Sequence, residues 1–85
     1  MTREEVRTKA IEILARKLGF PEAELLDESL NLWDDLGMDS LDAVEIAVEL
    51  EQIFGIKILV QGVAYTDFTS VKDVINFIAT KLNIE

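Results

Sequence analysis

The sequence predicts an all-α fold, a small helical bundle of three main helices joined by long connections. Three observations predict it. Apolar residues recur at three- and four-residue spacing in three separate stretches. Each stretch opens on a capping residue, and the first two close on a glycine. The one stretch with strand propensity, 56–60, would be a lone strand with no evident partner. At 85 residues the chain is expected to form one domain, 1–85, with a single modest core.

The first helix is expected over residues 3–18. Val6, Ala10, Ile13, Leu14 and Leu18 fall on one face. Thr2 and Glu5 have the spacing of a capping box, and Gly19 with Pro21 ends the run. Residues 19–39 lack a long period and are punctuated by Pro21, Asp27, Ser29, Asn31 and Gly37. Leu25, Leu26, Leu30, Leu32, Trp33 and Leu36 argue for an ordered loop pinned to the core, with a short helical turn at 22–26 and Trp33 as an anchor.

The second helix is expected over 40–54, with Ser40 as its N-cap and Gly55 beyond its end. Its apolar set is Leu41, Ala43, Val44, Ile46, Ala47, Val48, Leu50, Ile53 and Phe54. That is wider than one buried stripe needs, so the helix either packs on two sides or offers an apolar patch. Residues 56–60 have strand propensity but no evident partner, so they are expected to run extended. A turn of helix at 63–65 would form a short, atypical third helix. The last helix is expected over 70–82, started by Ser70 and Asp73 and striped by Val71, Val74, Ile75, Ile78 and Leu82.

Composition excludes several functions. There is no cysteine, hence no disulfide and no thiolate metal site, and there is no histidine. The usual general base and the usual partner of a nucleophilic serine are therefore missing. The chain reads as a non-enzyme, and a serine hydrolase is a poor fit. The charged start is unlike a signal peptide, and no run approaches the roughly 20 apolar residues of a membrane span, so a cytoplasmic protein is expected.

The net charge is −9, and it is unevenly placed. Residues 1–21 carry five bases and three acids, 55–85 three of each, and 22–54 eleven acids without a single base. Such a field repels nucleic acid and anionic lipid and attracts basic protein surfaces. Asp34, Asp35, Asp39 and Asp42 lack EF-hand spacing, so no metal site is assigned and weak surface binding of divalent ions is the most they allow.

The decisive string is Asp35-Leu36-Gly37-Met38-Asp39-Ser40-Leu41-Asp42, followed by Glu45 and Leu50-Glu51. Placed at the start of a helix in a short acidic chain, it resembles the acyl carrier protein family. The likeness covers nearly the whole chain, including the exit Phe54-Gly55-Ile56-Lys57-Ile58 and the Thr69-Ser70-Val71 start of the last helix.

The resemblance implies that Ser40 carries a 4′-phosphopantetheine arm attached by a separate transferase, and that the arm's thiol carries acyl groups as thioesters. Asp39 and Leu41 are then recognised by the transferase. Asp42, Val44, Glu45, Val48, Glu49 and Glu51 form the face met by partners with basic docking surfaces. The partners implied are a phosphopantetheinyl transferase and acyl-processing enzymes of fatty acid or related acyl or polyketide biosynthesis, acting on a monomeric carrier. An aminoacyl or peptidyl carrier and an unmodified interaction module are the alternatives. The family's usual Ile-Pro and acidic short helix beside the acyl cavity are replaced by Ile58-Leu59-Val60-Gln61-Gly62-Val63-Ala64-Tyr65-Thr66-Asp67-Phe68. That departure suggests a specialised member.

Overall fold

The computed structural model describes residues 1–58 and 68–84. Three α-helices account for most of them: α1 (Arg3–Leu18), α2 (Ser40–Phe54) and α3 (Val71–Lys81), with a short 3₁₀ turn at Glu22–Leu26. No strand occurs among the described residues, apart from an isolated antiparallel bridge between Asn31 and Ser70. The all-α expectation holds. The segment expected to form the short third helix lies outside the described residues.

Local sequence sets each boundary. Thr2 and Glu5 form the capping box of α1, and Ser70 and Asp73 that of α3. Each supplies partners for amides that have none in a helix's first turn. Gly19 and Gly55 close α1 and α2 in the left-handed region, at φ of 78° and 67°. A side chain would strain the backbone there.

α2 departs from expectation at its first residue. Its N-cap is Asp39, not Ser40: the Asp39 carboxylate accepts the Asp42 amide (2.8 Å), and the Asp42 carboxylate accepts the Asp39 amide (3.2 Å). A charged carboxylate at the positive end of the helix dipole is the stronger acceptor. The chain therefore enters the helix one residue before the serine can cap it.

α1 is the hub, packing on α2, α3 and the 3₁₀ turn. Its buried residues are Val6, Ala10, Ile11, Ile13, Leu14 and Ala15. Leu25, Leu32, Leu36 and Met38 pin the long loop, and Leu30 and Trp33 pack at the core's edge. Leu26, expected among the pins, is 55% exposed, because the 3₁₀ turn directs Leu25 inward.

Backbone bonds fix the loop against the start of α3. The Leu32 amide donates to the Thr69 carbonyl (2.8 Å), the Val71 amide to Leu30 (3.2 Å) and the Lys72 amide to Glu28 (2.9 Å). The Trp33 indole N–H donates to the Phe68 carbonyl (2.9 Å), which anchors the ring. Asn31 shapes the turn from within, its side-chain oxygen accepting the amides of Trp33 and Asp34.

Candidate functional site: the first turn of α2 and its outer groove

Ser40 is the first residue of α2 and is exposed. Among the described residues its hydroxyl makes no hydrogen bond, because Asp39 has taken the capping role. The amides of Ser40 and Leu41 likewise have no partner among the described residues. The result is a free hydroxyl beside two free N–H donors at the positive end of a helix of 15 residues. That arrangement suits an anion, since unpaired amides and the dipole both favour negative charge. Gly37, at φ 70°, allows the tight turn that delivers the chain to this point.

The nearby acids are engaged by backbone. Asp35 accepts the Asn31 amide (2.8 Å), and Asp39 and Asp42 cap each other. Among the described residues no group of three or more acidic side chains is arranged to hold a metal ion. Leu41 is 67% exposed, directly beside the serine.

The outer face of α2 forms a shallow groove lined by Val44, Glu45, Val48, Glu49 and Gln52, with Lys17 of α1 at its side. Four of the six expected partner-facing residues thus come together, and Asp42 lies one turn away. Glu51 does not join them. Its carboxylate accepts the Ile58 amide (2.7 Å) and fastens the chain that leaves α2. Two groove acids are paired from α1, Glu49 with Arg16 (2.5 Å) and Glu45 with Lys17 (3.8 Å). Sequence reading missed these pairs, because the residues are 33 and 28 positions apart and no local spacing signals them.

The inner face of α2 borders an apolar cavity of about 10 Å³. Ala43 and Ala47 leave the space, and Ile46, Leu50, Leu14, Leu32, Met38, Phe68 and Val74 close it. Met38 was not foreseen as a core residue. Its position two residues before the serine put it among polar neighbours in the sequence.

A family model described as "Phosphopantetheine attachment site" matches residues 8–78. An acyl carrier protein of Thermotoga maritima is 37% identical over 95% of this chain and 96% of its own length. One from Chloroherpeton thalassium is 38% identical, with coverage of 95% and 98%. The chain belongs to the acyl carrier protein family.

As a carrier it is not an enzyme, and the family's cofactor is phosphopantetheine. Its fold also matches the solution structure of the apo doublet acyl carrier protein from prodigiosin biosynthesis, with a TM-score of 0.75 and 27% identity. That match covers 92% of this carrier and 36% of the doublet chain. Among the described residues, no helix of the carrier is long and apolar enough to cross a membrane.

Proposed function

We propose that Ser40 is the attachment point of 4′-phosphopantetheine, and that the chain acts as a single cytoplasmic carrier domain for acyl thioesters in fatty acid or related acyl or polyketide biosynthesis. The observation that carries this reading is the Ser40 hydroxyl, exposed and without a hydrogen bond among the described residues, at the first turn of α2. The phosphodiester would lie beside the free amides of Ser40 and Leu41, which favour its charge. The arm supplies the thiol that this cysteine-free chain lacks. A transferase must supply the base that takes the Ser40 proton, since there is no histidine to do so.

Asp39 and Leu41 are the residues the transferase would recognise, Asp39 by holding α2 in register and Leu41 as an exposed apolar handle. Asp42, Val44, Glu45, Val48 and Glu49 form the proposed docking face for basic partner enzymes, and Glu51 fastens the exit of α2 through the Ile58 amide. The apolar cavity behind Ala43 and Ala47 is the proposed lodging for the start of an acyl chain.

Incubation with coenzyme A and a phosphopantetheinyl transferase, followed by intact mass measurement, tests the assignment. The chain should gain one phosphopantetheine, and Ser40→Ala should gain none. No gain with several active transferases overturns the reading. Isolation of the native protein and identification of its thioester then names the cargo.

A further inference from the structure

The α2 groove already holds two cations. Residues 22–54 contain no base, yet the folded chain brings Arg16 onto Glu49 at 2.5 Å and Lys17 towards Glu45 at 3.8 Å. Both bases come from the last turn of α1. Lys17 forms part of the groove wall alongside Val44 and Val48. These side chains lie where the lysines and arginines of a docking enzyme would have to lie.

We infer that Arg16 and Lys17 are built-in competitors for the docking face, so that a basic partner must displace them from Glu49 and Glu45 to bind. The inference rests on the reading of α2 as the partner face and adds a selectivity device to it. The Arg16 side chain is 58% exposed, and Glu49 only 23%. Arg16 can therefore swing into solvent without breaking any core packing, while the glutamate stays in the groove. The C-terminal end of the α1 dipole keeps both bases favourable near their present positions even when unpaired, so the pairs can re-form when the partner leaves.

The consequence is a penalty on weakly basic partners. A partner offering one lysine exchanges one exposed ion pair for another and gains little. A partner offering several arginines gains, because bidentate pairing to a carboxylate is stronger than a single contact. Exposed ion pairs are individually weak, so the two together should hold affinity down by about three- to tenfold at low salt.

The test measures steady-state kinetics of a phosphopantetheinyl transferase with a basic docking surface, using the apo carrier as substrate, saturating coenzyme A and low ionic strength. Arg16→Gln combined with Lys17→Gln should lower KM for the carrier about three- to tenfold with kcat unchanged. Glutamine keeps the helix propensity, and circular dichroism checks the fold.

Lys57→Gln combined with Lys72→Gln removes the same charge away from the groove and should lower KM by less than half as much. In a Glu45→Gln, Glu49→Gln background the α1 substitutions should do no more than this control. A double α1 variant that matches the control, or that raises KM, overturns the inference. If Glu45→Gln with Glu49→Gln fails to raise KM in the Arg16→Gln, Lys17→Gln background, the docking-face reading itself fails, and the inference with it.

Discussion

Asp39 and Ser40 divide two tasks that a single N-cap serine would have combined. Asp39 holds the helix start through the Asp42 amide, and this leaves the Ser40 oxygen without a bond among the described residues. Asp39→Ala should therefore destabilise the protein by about 0.5–2 kcal/mol in urea unfolding. Ser40→Ala should change stability by less than about 0.5 kcal/mol while abolishing modification. A large loss of stability in Ser40→Ala would show that the hydroxyl does cap the helix. Asn31 is the comparable single residue in the loop, since its side chain accepts two backbone amides. Asn31→Ala should cost about 1–3 kcal/mol. Release of Trp33 from the Phe68 carbonyl should shift its fluorescence to longer wavelength.

At the scale of elements, the Glu5 capping box of α1 and the Asp27 turn carry a pH dependence. The Thr2 amide and then the Thr2 hydroxyl hold the Glu5 carboxyl below its ordinary range. Asp27, at the end of the 3₁₀ turn, is lowered by the Ser29 hydroxyl and then by the Ser29 amide. A carboxyl whose pKa is depressed by folding adds stability above its unfolded pKa and loses it as pH falls through the folded value. Both groups therefore stabilise the fold at neutral pH and stop doing so in acid. Glu5→Gln should lower the melting temperature at about pH 7, and the gap to the unsubstituted protein should close towards about pH 3. A gap that is constant across this range would remove Glu5 from the account.

At the scale of the molecule, the long loop is ordered because α3 holds it. Backbone bonds to Thr69, Val71 and Lys72 and the indole bond to Phe68 pair it with a segment more than 30 residues away. The same packing leaves the cavity between α2 and the Phe68–Val74 wall almost filled. An acyl chain lodged there as proposed would have to part these walls, since the space is only about 10 Å³. Ala47→Leu should overpack the site at a cost of about 1–3 kcal/mol. If an acyl chain lodges here as proposed, loading should raise the melting temperature of the unsubstituted carrier and leave that of Ala47→Leu unchanged. An undiminished rise would place the acyl chain outside this cavity. Leu14→Ala, at a fully buried wall position, should cost about 2–5 kcal/mol.

The sequence by itself determined the helices, their caps at Thr2 and Ser70, the glycine stops at 19 and 55, the 3₁₀ turn and the serine string. Each of these depends on residues within about four positions of one another, where periodicity and capping chemistry act. Tertiary structure alone decided that Leu26 faces out while Met38 faces in, and that Glu51 serves the Ile58 amide. It also decided that Arg16 and Lys17 reach across to Glu49 and Glu45. Those outcomes depend on how α1 and α2 cross and where the loop docks, and no local pattern in the chain encodes that geometry.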